Sequence, residues 1–235
     1  MLDIFGKYFK GQRCHIYMHP KLEVDRHEVV VLVHGLIRRS YNMRPMAKFL
    51  AKNGFATYVY DYKTSTQVMA AHGDDLREYL KKVIAENPNK VIHIVTHSMG
   101  GIIVRYALGE NNGTEKLDIS RIKRVVMLAP PNSGSKIARY VTKYAPITGR
   151  WFKTLPELSD EPGSVIYTVP LIKGPEVGVV AAKYDREVAI KDTCLEGMKE
   201  HLIIKSEHSF MVYMKSSNEA VLRFLTSGTF KPLEN

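Results

Sequence analysis

The chain has 235 residues, 45% of them hydrophobic, and a formal net charge of +10. That composition supplies one continuous core without disulfides or metals, and no apolar run approaches the about 20 residues that cross a bilayer. Cys14 and Cys194 fit no CxxC, zinc or disulfide-framework spacing and are expected to be reduced thiols, and the absence of HExxH, of clustered Asp/Glu or Cys/His and of a Gly-rich phosphate loop excludes a metal, nucleotide or other cofactor from the expectation.

Taken from the N-terminus, MLDIFGKYFKGQRCHIYMHPK carries lysines but lacks the apolar stretch and small-residue cleavage site of a signal peptide, so a soluble, cytoplasmic protein is expected. Residues 1–28 leave little room for two full antiparallel strands ahead of the first confident strand, which predicts about six principal strands rather than eight. From there, short β-branched runs alternate with amphipathic helical patterns: Val29 to Val33, Ala56 to Tyr60, Val91 to Val95, Val125 to Ala129, Val177 to Ala182 and Leu202 to Ile204. Such runs are strands buried on both faces, and the alternation predicts an α/β fold with a mostly parallel sheet and helices on both sides.

Met43, Met46, Ala47, Leu50 and Ala51 recur at helical spacing before Gly54, and Leu76, Tyr79, Leu80, Val83 and Ile84 do so before Asn87-Pro88. IIVRYAL, residues 102–108, is apolar almost all round and reads as a helix packed deep on the sheet. Ser216 with Glu219 three residues on suggests a capping box for a last helix carrying Ala220, Val221, Phe224 and Leu225. Residues 1–235 read as one domain, with an excursion at about 131–175 whose aromatic content suggests a small cap over an apolar site, Trp151 and Phe152 covering the substrate.

The chemistry concentrates in KVIHIVTHSMGGIIVRYAL, residues 90–108, a strand, sharp turn and helix. A serine at such a turn projects its hydroxyl from a strained backbone that tolerates only small residues two positions either side. Gly100 meets that demand and Gly101 lets the helix approach the strand, while Thr96 stands where the pattern prefers glycine. His93 lies inside the strand, and His97 alternates away from Ser98; neither reads as a base.

With this elbow the sequence resembles the α/β-hydrolase family, within it the small lipases and esterases with an HG oxyanion loop. VVVLVHGLIRRSYNMRPMAKFLAKNGFATYVYDY, VVMLAPPNSGS and VGVVAAKYDREV are similar to the family's HG-loop segment, its post-nucleophile strand and its acid-bearing strand. The resemblance implies an acyl-enzyme on Ser98 in ester hydrolysis, with the backbone N–H groups of Leu36 and Met99 as oxyanion donors. On this fold the base follows the acid in the chain and both sit at the C-terminal edge of the sheet. His208 follows the last strand, whereas His201 opens it at the wrong edge; Asp185 directly follows VGVVAAKY, with Asp192 the alternative acid further into the loop. An acyltransferase using the same three residues, or a non-catalytic lipid- or protein-binding module, are the rival expectations. The partner expected is a small or lipidic ester; the dispersed positive charge reads as a solvated surface with weak binding to anionic membranes as a side effect and no specific nucleic acid.

Overall fold

The structure, a computed structural model, describes residues 4–9, 12–17, 26–65, 67–109, 117–145 and 147–232. Its strands are β1 (Ile4–Phe9), β2 (Gln12–Tyr17), β3 (Glu28–Val33), β4 (Ala56–Tyr60), β5 (Val91–His97), β6 (Ile122–Leu128), β7 (Glu176–Ala182) and β8 (Glu200–Ile204). They form one sheet in the order β1-β2-β4-β3-β5-β6-β7-β8. The six strands β3 to β8 are mutually parallel and coincide with the six runs the sequence predicts. To them the chain adds an antiparallel pair, β1 and β2, joined to the edge through β2 and β4. This corrects the expectation that the front of the chain has no room for two strands: a hairpin of two six-residue strands fits in fourteen residues, and its link is two residues long, the commonest hairpin length.

The helices are α1 (Arg44–Lys52), α2 (Met69–Glu86), α3 (Met99–Leu108), α4 (Lys136–Tyr144), α5 (Thr148–Trp151), α6 (Thr154–Glu157) and α7 (Lys215–Ser227). Because side chains alternate along a strand, β3 sends Val29, Val31 and Val33 to one face of the sheet and Val30 and Leu32 to the other. The first set packs with Leu76, Tyr79 and Leu80 of α2 and Ile102 and Ile103 of α3; the second packs with Met46 and Leu50 of α1 and Val221, Phe224 and Leu225 of α7. The chain is thus an α/β-hydrolase sheet with helices on both faces. None of the described helices is long and apolar enough to cross a membrane.

Two local expectations change. The last helix begins at Lys215 with Met214 before it and no side-chain cap; Glu219 instead faces Lys215 Nζ at 3.6 Å, so Ser216 and Glu219 form no capping box. The helix containing IIVRYAL is not held by apolar contacts alone. Arg105 is buried in it and its guanidinium donates to Asn132 O (3.1 Å), Val169 O (2.6 Å) and Pro170 O (3.0 Å). Burial lowers its pKa to about 10, which leaves it charged at neutral pH. One side chain therefore ties together the start and the end of the excursion between β6 and β7.

Replacing Arg105 with methionine keeps most of the apolar stem but strands three buried carbonyls. We expect a loss on the order of 3 kcal/mol, and a fall in Tm of roughly 2–4 °C for each kcal/mol lost. Thermal unfolding of the purified variant checks this; an unchanged Tm would show that the excursion is anchored elsewhere.

Candidate active site

Ser98 sits between β5 and α3 with φ 54° and ψ −131°, a left-handed backbone that side-chain-bearing residues rarely adopt. The surroundings hold it there because they leave no alternative space. A Cβ on Gly100 would lie 2.7 Å from both Val33 O and His34 O, and one on Gly35 would lie 2.8 Å from Ser98 Cβ. Thr96, by contrast, lies inside β5 in register with Val33 and Met127 and needs no positive φ. The unusual residue in the elbow is accommodated within the strand, fully buried beside Gly101, with a hydroxyl that has no hydrogen-bond partner among the described residues.

Backbone bonds continue past the regular strands and lock this edge together. Ser98 N–H donates to Leu128 O (2.8 Å), Ala129 N–H to Val180 O (2.8 Å), Lys183 N–H to Ile204 O (2.7 Å) and Tyr184 N–H to Ser206 O (3.0 Å). This extended ladder carries the loops after β5, β7 and β8 to one place. There His208 Nε2 lies 2.9 Å from Ser98 Oγ, and His208 Nδ1 lies 2.7 Å from Asp185 Oδ2. The other Asp185 oxygen accepts from Glu187 N–H (2.8 Å) and Val188 N–H (2.9 Å), so the carboxylate is fixed in orientation and its side chain is 1% exposed. A carboxylate can only accept, so the imidazole proton resides on Nδ1 and Nε2 is left to accept from the serine hydroxyl.

The alternative residues lie elsewhere. Asp192 is in a 3-10 turn, Ile190–Thr193, where its carbonyl accepts from Ser133 N–H. His201 Nε2 is 2.9 Å from Thr193 Oγ1. His93 is buried with Glu28 Oε1 at 3.6 Å and Phe55 edge-on.

His97 is the residue whose part the sequence does not disclose. It does alternate away from the Ser98 hydroxyl, but this points it at His208: its Nε2 lies 2.9 Å from His208 O, with ring centroids 5.0 Å apart. Burial first, and the neighbouring His208 second, lower its pKa to about 3, so the ring stays neutral and its Nε2–H donates to that carbonyl.

The HG loop lies over the serine. Leu36 and Met99 both flank Ser98 in space or sequence; Met99, as the first residue of α3, has an N–H with no acceptor inside the helix. The next residue, Ile37, has φ 55°, costly for a β-branched side chain, and is pinned by its N–H to Thr64 Oγ1 at 3.1 Å. His34 is fully buried, stacked on Tyr62 at 4.4 Å, with Nδ1 3.0 Å from Gly35 O and Nε2 3.5 Å from Asp61 Oδ1; Tyr62 Oη–H donates to His34 O. Burial alone would raise the Asp61 carboxyl, but His34, the Ser40 N–H (2.8 Å) and Arg39 outweigh it and hold it at about 2.

A cavity of 360 Å³ opens beside Ser98, with Leu36, Ile37, Ile137, Ala138, Leu155, Leu158 and Val188 as its apolar lining and Arg38, Glu187 and His208 as its polar one. Trp151 and Phe152 do not line it, which corrects the expected cover: Trp151 lies on the outside of the excursion, 72% exposed, and the apolar wall comes from Leu155 and Leu158 after it. A larger cleft of 680 Å³, near Leu108, Ile119 and Pro170, has no histidine among the described residues of its lining.

The model of the family described as serine aminopeptidase, S33, matches residues 25–170. Among solved structures, the mature lipase BlEst2 of Bacillus licheniformis is 18% identical, with a TM-score of 0.70 over 91% of this chain and 98% of that one. Est1E of Butyrivibrio proteoclasticus is 16% identical, with a TM-score of 0.66 over 94% and 97% of the two chains. The esterase Est2 of Thermogutta terrifontis, with propionate bound, is 16% identical, with a TM-score of 0.65 over 100% and 97%. At these identities the likeness concerns the fold.

Asp61 gives the HG loop a definite pH dependence. Its folded pKa of about 2 lies below the ordinary 3.8, so its stabilisation is complete above about pH 4 and is lost as the pH falls toward 2. Wild type should therefore exceed Asp61→Asn in stability at pH 7, with the gap closing between about pH 4 and 2. Urea unfolding of both proteins across that range is the measurement; a gap that persists at the lowest pH contradicts the assignment.

Proposed function

This chain belongs to the serine aminopeptidase, S33 family of α/β-hydrolases. We propose that it is a serine hydrolase cleaving carboxylic esters through an acyl-enzyme on Ser98. The observation that carries the proposal is the unbroken hydrogen-bonded series Ser98 Oγ, His208, Asp185, at 2.9 and 2.7 Å, opening on a largely apolar cavity. His208 takes the hydroxyl proton as Ser98 Oγ attacks the carbonyl, Asp185 stabilises the resulting imidazolium, and His208 returns the proton to the leaving alcohol. Water then adds to the acyl-enzyme with His208 again as base, releasing the acid and restoring Ser98.

The negative charge that develops on the carbonyl oxygen is met by the N–H groups of Leu36 and Met99. Each such donor is worth on the order of 3 kcal/mol in the transition state, provided it is held in place beforehand. Gly35, with no Cβ between loop and serine, and the His34–Asp61–Tyr62 cluster beneath it support that role. His97 acts as a positioning residue, fixing the His208 backbone through its carbonyl.

The family's name raises amide hydrolysis of peptides as a second reading, and Glu187, with Oε2 3.6 Å from His208 Nε2, is the observation that favours it, since a carboxylate at the rim could pair with a substrate amine. The apolar walls favour the ester. Nitrophenyl esters of increasing chain length against aminoacyl nitroanilides separate the two, and partition of product toward an added alcohol separates hydrolysis from acyl transfer.

Ser98→Ala and His208→Ala are each expected to lower ester turnover by on the order of 10⁶-fold with the fold intact, and the double variant to be scarcely worse than either single one. Wild type should be labelled by a fluorophosphonate and Ser98→Ala should not. Asp185→Asn should cost on the order of 10⁴-fold while Asp192→Asn costs little. Normal turnover by Ser98→Ala overturns the nucleophile, and the reverse order of the two aspartates overturns the acid.

A further inference from the structure

We propose that the outer face of α4 and α5 docks this protein on an anionic lipid surface, with the mouth of the Ser98 cavity turned toward the bilayer. Ile137, Tyr140 and Tyr144 recur at i, i+3 and i+7 along α4, and Ile147 and Trp151 follow. All five are exposed, from 42% for Ile137 to 72% for Tyr144 and Trp151, whereas Ala138 on the opposite side of α4 is buried. Large apolar groups scattered singly on a surface need no explanation, but five within fifteen residues, on α4, on α5 and at the residue that opens α5, do. Ile137 also lines the cavity, so the apolar face reaches the rim where Ser98 is entered.

The charge on this segment selects the occupant. Residues 136–153, KIARYVTKYAPITGRWFK, contain Lys136, Arg139, Lys143, Arg150 and Lys153 and no aspartate or glutamate. Arg139 is partly neutralised by Asp160 at 3.3 Å, while Lys136, Lys143 and Lys153 are exposed, Lys143 Nζ lying 5.5 Å from the Tyr144 ring. A helix with aromatic and aliphatic groups on one face and lysines beside them lies in the interface of an anionic bilayer, its apolar groups among the acyl chains and its cations at the headgroups. A second copy paired about a two-fold axis would set the same cations against one another. Nucleic acid would satisfy the cations and stack on the aromatics, but it leaves Ile137 and Ile147 without an apolar partner.

Docking needs no turnover; that it delivers substrate rests on the ester reading. Trp151 is the single tryptophan of the chain, so tryptophan emission, excited selectively over that of the 13 tyrosines, reports this face. The experiment uses the full-length Ser98→Ala protein, unable to consume lipid, with vesicles of phosphatidylcholine alone or mixed with phosphatidylglycerol. The mixed vesicles should shift Trp151 emission to the blue and carry the protein into the pellet. The double variant Lys136→Glu/Lys143→Glu should weaken this by about tenfold or more, Tyr144→Ala should weaken it too, and added salt should reduce it. The same substitutions in the Ser98 protein should leave turnover of a soluble nitrophenyl acetate unchanged. No shift, an equal shift with phosphatidylcholine alone, or an equal shift with an oligonucleotide overturns the proposal. A blue shift that rises with protein concentration in the absence of vesicles assigns the face to a second copy instead. Vesicle binding with no fluorophosphonate labelling of the Ser98 protein would sink the ester reading and leave docking standing.

Discussion

The backbone at Ser98 sets the terms for everything around it. At φ 54° and ψ −131° the serine leaves its strand and enters its helix within one residue, and that reversal brings α3 and the HG loop closer to the elbow than side chains allow. Gly100 would place a Cβ within 2.7 Å of two carbonyls of the neighbouring strand end, and Gly35 within 2.8 Å of Ser98 itself. The strain at Ser98 is resisted by many groups: the parallel ladder on both sides of β5, the buried apolar face of α3 and the clamp that Arg105 makes from the same helix. A serine in an unstrained turn would need none of these, and its hydroxyl would not stand clear of the backbone.

From that fixed point, the site is completed by continuing sheet geometry rather than by flexible reach. The bonds Ser98 N–H to Leu128 O, Ala129 N–H to Val180 O and Lys183 N–H to Ile204 O carry the register of the sheet one residue beyond the strands, across four of them. Asp185 is then held by two amides and His208 by the carbonyl it offers to His97, so both rings and the carboxylate are oriented by groups whose hydrogen-bonding needs are themselves met. In a region of low dielectric such satisfied networks are stable, whereas a half-satisfied one would cost more than an apolar replacement.

This division explains what was legible in the sequence. Strands buried on both faces have to be apolar and β-branched, so β3 to β7 appear as apolar runs. The edge strand β8, with Ile203 half exposed, is read from the shorter run Leu202 to Ile204. The C-terminal ends of these strands point to Ser98, Asp185 and His208 without knowledge of any contact. The front hairpin was illegible because IFGKYF and QRCHIY are short, mixed and charged, with no alternation that separates them from a loop. Arg105 hid inside an apolar helix, where periodicity counts it as a single polar interruption. His97 was excluded as a base by strand alternation, and the same alternation is what aims it at the His208 carbonyl. The placement of Trp151 and Phe152 failed for a different reason: aromatic content announces burial against something, but in α4 to α6 nothing in the spacing says whether that partner is the protein's own cavity or the outside.

The excursion is fastened differently from the sheet it covers. Its attachment combines apolar contacts, with Ala138, Leu158, Ile166 and Val169 in the core, and polar ones: Arg105 at its two ends, Glu157 Oε2 accepting from the Met69 N–H at 2.7 Å, and Thr154 Oγ1 donating to Thr64 O at 3.1 Å. Leu155 and Leu158 face inward from the same short stretch that turns Trp151 outward. The excursion also reaches the supports of the site: Ser135 Oγ donates at 2.7 Å to the carbonyl of Glu187, the residue whose N–H holds Asp185, and Thr64, which accepts from Thr154, also accepts from the Ile37 N–H of the HG loop. Glu157, at one of these attachments, has its pKa raised by burial, which outweighs the bond from the Met69 N–H. It is this excursion, and not the edge that carries Ser98, Asp185 and His208, that bears the exposed aromatic face.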